Sequence, residues 1–110
     1  MSVRDVSVAM VLSLAVAAPL LAQDSKAGEQ VYVDQKCSVC HSIAGKGNAK
    51  GPLDEVGSKL SPDDIRAWIT DAKGMTAKTK ATRKPEMKAY TLAKPEADSL
   101  VAYLVTLKKK

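Results

Sequence analysis

Both cysteines and the single histidine of this 110-residue chain lie within five consecutive residues, Cys37-Ser38-Val39-Cys40-His41. A C-x-x-C-H run is the signature of c-type haem attachment. Two cysteines three residues apart lie on the same side of a helical turn, so each sulfur can form a thioether with one haem vinyl group. The motif predicts one covalently bound haem c, attached at Cys37 and Cys40, with His41 as the proximal iron ligand.

Other uses of this motif fit the rest of the chain less well. A redox-active C-x-x-C expects a neighbouring βαβ pattern, and the sequence shows no strand-like alternation. A structural zinc site needs four ligands, whereas the chain has two cysteines and one histidine. A disulfide between Cys37 and Cys40 stays open as an alternative, although it would close a tight ring.

The N-terminal residues combine a weakly basic start at Arg4, an apolar stretch, and a small residue, Ala22, before the polar Gln23. These are the parts of a secretory signal peptide. We expect residues 1–22 to be cleaved as a signal peptide, which leaves residues 23–110 as one domain in the periplasm. An uncleaved membrane anchor is the alternative, although the apolar run is marginal in length for spanning a bilayer.

Hydrophobic periodicity predicts an all-α fold of three or more short helices. The first helix is expected over about residues 26–36. The second is expected to begin at the N-cap Ser61 and to end at Gly74, with an apolar face made of Ile65, Trp68, Ile69 and Ala72. The third is expected near Pro95, with a stripe formed by Ala97, Leu100, Val101, Leu104 and Leu107.

Aromatic side chains are scarce, with no Phe, one Trp and three Tyr. A domain this small usually needs a staple or cofactor to complete its core. The irregular stretches 42–60 and 74–94 are long for such a domain, and long loops of this kind usually wrap something functional. We therefore expect the helices and loops to wrap the haem. Trp68 is expected to pack in the core, with a hydrogen bond to a haem propionate as the alternative.

A second axial ligand must come from another residue type, because the chain has one histidine. Methionine is a natural choice, since its thioether is a soft ligand that raises the reduction potential. After cleavage of the signal peptide, Met75 and Met87 are the two candidates. Their positions alone leave both open.

Several further landmarks make the chain similar to the class I, monohaem cytochromes c of the short bacterial type. They are Gly28 and Tyr32 before the motif, and residues 51–53, 85–90 and 100–104 after it. The resemblance implies a cytochrome c fold, with Met87 as the second iron ligand. It also implies that the Pro52 carbonyl accepts a hydrogen bond from the ring of His41, and that Gly28 permits close approach of the first and last helices.

The function implied by this resemblance is single-electron transfer at an iron that cycles between Fe(III) and Fe(II), without enzyme activity. A haem c subunit of a larger dehydrogenase or oxidase complex is one alternative, and a peroxide-reducing haem enzyme is another. We expect redox proteins as partners, with no nucleic acid and no small-molecule substrate, and membrane contact that is transient or made through a partner complex.

The net charge of +5 points to acidic partner proteins or anionic membranes, with ordinary solvated charge as the alternative. Eight basic residues lie in or beside the loops expected to border the haem: Lys46, Lys50, Lys73, Lys78, Lys80, Arg83, Lys84 and Lys88.

Overall fold

The structure is a computed structural model that describes residues 17–110, with side chains from residue 24 onward. This part of the chain contains five helices and one small hairpin: α1 (Ala17–Asp34), β1 (Ser42–Ile43), β2 (Lys46–Gly47), α2 (Val56–Lys59), α3 (Pro62–Thr70), α4 (Ala72–Thr79) and α5 (Lys94–Val105). The strands are antiparallel, with Ser42 opposite Gly47 and Ile43 opposite Lys46. The predicted all-α class is confirmed. The hairpin was missed because strands of two residues are too short to show an alternating pattern.

Most of the predicted signal peptide, residues 1–22, lies outside the described residues. The described part begins in α1, which continues from Ala17 past the predicted cleavage position after Ala22 to Asp34. Cleavage stays a prediction. Across residues 17–110, the helices are all too short or too polar to cross a membrane.

Helices α1 and α5 cross in close contact at Gly28. A Cβ atom at this position would overlap the backbone carbonyl of Ser99 and would lie 2.6 Å from Cβ of Tyr103. One turn further along α1, Tyr32 packs edge-to-face against Tyr103 with 6.1 Å between the ring centroids, a favourable arrangement for two aromatic rings. The expected close approach at Gly28 is therefore confirmed.

Helix α3 begins where its capping residue predicts, because the Ser61 Oγ accepts a hydrogen bond from the amide of Asp64 at 3.1 Å. Its predicted end at Gly74 was wrong. The chain leaves helical geometry at Asp71 (φ −140°, ψ 53°), and the Asp71 carboxylate accepts from the amide of Gly74 at 3.2 Å. This side chain caps a new helix, α4, and Gly74 lies inside it.

Helix α5 starts at Lys94, with Pro95 in its first turn, and buries four of the predicted apolar residues, Ala97, Leu100, Val101 and Leu104. Leu107 lies beyond the helix end and is half-buried. The core consists of Tyr32, Ile65, Ile69, Leu100, Val101 and Leu104. Among the described residues, no large side chain is less than 2% exposed. The helices therefore surround a core that their own side chains do not fill.

Candidate functional site

The unfilled core opens into a cavity of about 800 Å³. Five of the six core residues line it, namely Tyr32, Ile65, Ile69, Leu100 and Leu104. Binding sites for small molecules and cofactors are mostly apolar clefts of roughly 300–1,000 Å³ with a few polar groups that fix the ligand. The size and the apolar lining of this cavity match such a site.

The C-x-x-C-H segment forms part of the cavity lining immediately after α1. Lys36 adopts a left-handed conformation (φ 56°) that ends α1 and starts a 3₁₀ turn over Cys37–Val39. The amides of Cys40 and His41 both donate to the Cys37 carbonyl, at 3.1 and 2.9 Å. This turn brings Cys37, Cys40 and His41 to the same cavity.

The two cysteine thiols are free, and the disulfide considered above is not formed. Burial raises the pKa of the Cys37 thiol, and a hydrogen bond with its own backbone lowers this pKa by a smaller amount. The Cys37 side chain is therefore a protonated thiol at neutral pH. Two reduced thiols are what thioether formation with haem requires.

The ring of His41 is held by one hydrogen bond, since its Nδ1 lies 3.0 Å from the carbonyl oxygen of Gly51. Burial lowers the pKa of His41, the Gly51 bond opposes this shift, and the nearby Arg83 guanidinium adds to it. The imidazole is therefore neutral at pH 7, which is the form that binds metals. With Nδ1 donating to Gly51, the other ring nitrogen, Nε2, is left to act as a ligand.

The prediction that the Pro52 carbonyl accepts this bond was wrong, because the acceptor is the carbonyl of the preceding residue, Gly51. Ser42 and Pro52 form a parallel bridge in which the Ser42 amide donates to Gly51 at 3.0 Å, and the Leu53 amide donates to Ser42 at 2.9 Å. Successive carbonyls of extended backbone point in opposite directions, so the Gly51 carbonyl faces the His41 segment and that of Pro52 faces away. Pro52 instead contributes to the cavity lining.

The two candidate methionines lie in different environments. Met87 is half-buried and lines the cavity together with Cys40 and His41. Met75 is 7% exposed on α4 and does not contribute to the cavity lining. The structure thus brings Met87, and not Met75, to the same cavity as the C-x-x-C-H segment.

Arg83 is a site residue that sequence reasoning treated only as surface charge. Its guanidinium donates to the Cys40 carbonyl at 2.6 Å, and the side chain lines the cavity. No local pattern signals this contact, because Arg83 and Cys40 are 43 residues apart in the chain.

The remaining predicted residues divide between the cavity and the surface. Trp68 is half-buried and lines the cavity. Of the eight predicted basic residues, Arg83 and Lys88 reach the cavity lining, as do Lys36 and Lys59, which were not predicted. These four cations are exposed. Two carboxylates, Glu55 and Glu86, also line the cavity, so its border carries an excess of positive charge.

Comparison with known protein families independently supports a haem site in this cavity. The family model described as cytochrome c matches residues 25–108. This chain belongs to the cytochrome c family. Members of the family carry covalently bound haem c with iron and transfer electrons through it. The match covers α1 from near its middle through α5 and the residues that follow it.

A curated relative extends this result. Cytochrome c oxidase subunit 2 of Alkalihalophilus pseudofirmus is 28% identical over 90 residues, which cover 74% of this chain and 25% of the relative. The chain therefore spans about a quarter of the length of the relative. No solved structure matches the chain significantly.

The residues of this cytochrome c domain fit a haem. The cavity offers an apolar lining, two free thiols, and a neutral histidine whose second ring nitrogen is not committed to Gly51. The buried hydroxyl of Tyr32, which lines the cavity, has no hydrogen-bond partner within the described residues. Burial is the main cause that raises the pKa of Tyr32 to about 12. Residues 24–110 contain no cluster of three or more His, Cys, Asp or Glu that could hold a metal ion by itself.

Proposed function

We propose that this protein is a periplasmic carrier of single electrons that uses one c-type haem, with His41 and Met87 as axial ligands. The observation that carries the proposal is the shared cavity, which brings Cys37, Cys40, His41 and Met87 together within an apolar lining. No enzyme activity is part of this proposal, because two protein ligands leave no iron position for a substrate.

Each residue contributes a defined part of this function. The thiols of Cys37 and Cys40 would hold the haem covalently, and the neutral ring of His41 would bind iron while Gly51 fixes its orientation. The apolar part of the lining would shield the bound haem from water. When bound, the haem supplies a one-electron Fe(III)/Fe(II) couple, and a thioether ligand such as Met87 favours Fe(II).

Haem attachment is tested by producing the protein in a host with haem-ligation machinery. The wild type should keep its haem stain on a denaturing gel, because thioethers survive unfolding. Replacing both Cys37 and Cys40 with Ala should abolish the stain. Loss of haem from the denatured wild type would contradict the proposal.

The axial ligand is tested by comparing Met87→Ala with Met75→Ala. The ferric wild type should be low-spin and show the weak near-red band of a sulfur–iron bond. Met87→Ala should remove this band, speed the binding of carbon monoxide to the ferrous protein, and lower the reduction potential. Met75→Ala should keep the band and lower the free energy of unfolding by about 2 kcal/mol, because a buried methionine is truncated. A high-spin wild type that turns over peroxide would instead support the enzyme alternative.

A permanent place in a larger redox complex is the second candidate function. The similarity to a protein named as an oxidase subunit favours this alternative. A pull-down of the mature holoprotein from its own membranes separates the two. A stoichiometric oxidase or dehydrogenase complex that resists salt would identify a subunit, whereas recovery of the domain alone would identify a carrier.

The acidic partner and the periplasmic location are tested separately. Electron transfer to an acidic partner should slow as salt rises, because charge steering is screened beyond roughly 10 Å at about 0.1 M salt. A rate indifferent to salt would show that the basic residues near the cavity do not steer docking.

N-terminal sequencing of protein from the periplasmic fraction should begin at Gln23, whereas a membrane-bound product with an intact N-terminus would identify an anchor.

A further inference from the structure

The segment that carries Met87 has little structure of its own. Residues 81–92, the distal loop, lie between α4 and α5 without helix or strand. Only Met87, Tyr90 and Leu92 are half-buried, and the rest of the loop is exposed. A loop with so few buried side chains has little packing energy to hold it in place.

Few hydrogen bonds connect this loop to the rest of the protein. On one side of Met87, the amide of Tyr90 donates to the Ile69 carbonyl at 2.8 Å. On the other side, the guanidinium of Arg83 donates to the Cys40 carbonyl at 2.6 Å. Within residues 24–110, this Arg83 bond is the one hydrogen bond that connects residues 82–89 to another segment.

The other polar contacts near Met87 stay inside the loop. Lys84 pairs with Glu86 at 2.9 Å, and the Lys88 ammonium lies 5.1 Å from the centre of the Tyr90 ring. Neither contact reaches the C-x-x-C-H segment. Arg83 therefore differs from Lys84 and Lys88, because its side chain bonds to a residue outside the distal loop.

The glycine at position 51 leaves space for this contact. A Cβ atom there would overlap both the Arg83 guanidinium and the Cys40 carbonyl. The same residue holds the ring of His41 through its own carbonyl. Arg83 thus lies beside Gly51, whose carbonyl holds the His41 ring, and bonds to Cys40, the residue before His41.

We propose that Arg83 is a latch, a positioning residue that ties the distal loop to the Cys40–His41 segment and so keeps Met87 at the cavity. This rests on the proposed function, in which Met87 is an iron ligand. Beyond the Ala81 amide, which bonds Thr76 at the end of α4, the loop has one tether on each side of Met87, and breaking the Arg83 tether leaves residues 82–92 held to other segments by the Tyr90 bond. The loop then opens more often, and Met87 leaves its ligand position more often.

The latch is tested by the rate at which imidazole binds to the ferric holoprotein, because imidazole must wait for Met87 to leave. A hydrogen bond of this kind contributes about 1 kcal/mol net, which corresponds to about a fivefold change in loop opening. Arg83→Met keeps an unbranched, though shorter, side chain and removes the donor, so imidazole should bind about fivefold faster. Arg83→Lys should restore part of the difference, since an ammonium can also donate to Cys40.

Lys84→Met is the matched control. It removes the same charge and a hydrogen bond of similar length, but that bond stays within the distal loop. Its imidazole rate should be close to that of the wild type, and neither variant should change the midpoint of global unfolding appreciably. Equal acceleration in Lys84→Met and Arg83→Met would overturn the latch in favour of a general charge effect.

Amide hydrogen exchange at Tyr90, whose amide is protected by its bond to the Ile69 carbonyl, separates the latch from the axial ligation. Exchange at this amide should be about fivefold faster in Arg83→Met, whether or not Met87 binds the iron. If the wild type lacks the near-red band but shows this difference, the ligation fails and the tether stands. If Arg83→Met and the wild type exchange and bind imidazole at the same rates, the latch is overturned.

Discussion

The crossing of α1 and α5 and the distal loop face the same cavity but are built differently. At the crossing, the backbones meet at Gly28, two tyrosine rings pack together, and Leu100 and Leu104 are buried. In the distal loop, Met87 is held between single hydrogen bonds from Arg83 and Tyr90.

Because the two regions are held differently, substitutions in them should have different effects. Close packing over several residues is lost only when the domain unfolds, whereas a loop with few tethers opens locally at a smaller cost. Changes at the crossing should therefore alter global stability and haem retention during folding. Changes in the distal loop should alter ligand exchange at the iron while the fold persists.

The largest effect is expected from Gly28→Ala at the crossing. The new Cβ would overlap the Ser99 backbone, so α1 and α5 must separate, and overpacking of this kind costs about 3 kcal/mol. Denaturant unfolding of the holoprotein measures the loss.

Gly74→Ala, inside α4, is the matched control. The added Cβ would displace the Asp71 carboxylate that caps α4, and this loss, of roughly 1 kcal/mol, offsets the about 1 kcal/mol by which alanine favours helix over glycine. A near-neutral effect is expected. Equal destabilisation by the two substitutions would show that the helix crossing is not especially tight.

A smaller effect, confined to ligand exchange, is expected from Lys88→Ala in the distal loop. The Lys88 ammonium lies over the ring of Tyr90, whose amide is bonded to Ile69, so this contact, unlike the Lys84–Glu86 pair, joins the residue after Met87 to an anchored residue. An exposed contact of this kind contributes about 0.5 kcal/mol. Imidazole should bind about twofold faster, with the free energy of unfolding unchanged. A lower unfolding midpoint would mean that the loop is coupled to the core more strongly than its contacts indicate.

The smallest effect is expected at Asp98, which links α5 to α3. Its carboxylate accepts from Lys94 at 2.8 Å and from Arg66 at 2.6 Å, and these two bonds lower the pKa of Asp98. A lowered pKa stabilises the fold above the usual carboxyl pKa of about 3.9 and loses this effect as the pH falls through the folded value. These contacts are partly exposed, so their contribution is small.

Asp98→Asn should therefore be slightly less stable than the wild type at pH 7. The two should converge as the pH falls below about 4 and through the lowered pKa of the folded Asp98 carboxyl. Urea unfolding across this pH range measures the difference. A gap that persists unchanged at low pH would show that the ion pairs with Arg66 and Lys94 are not its cause.

Features that depend on neighbouring residues were predicted well from the sequence. The cap at Ser61, the start of α5 beside Pro95 and the buried stripe of α5 all follow from local spacing and side-chain chemistry. The break at Asp71 was missed because Ile65, Trp68, Ile69 and Ala72 continue one helical period across it. A carboxylate that caps a following helix does not interrupt a hydrophobic pattern.

The sequence by itself determined the haem motif at residues 37–41 and the helical class, because both depend on residues close together in the chain. Tertiary structure decided that Gly51 rather than Pro52 holds His41, since the direction of a carbonyl depends on the bridge to Ser42. It also decided that Met87 lines the cavity while Met75 is buried on α4, and that Arg83 reaches Cys40. These contacts join residues far apart in the chain, where local spacing carries no information about which atoms meet.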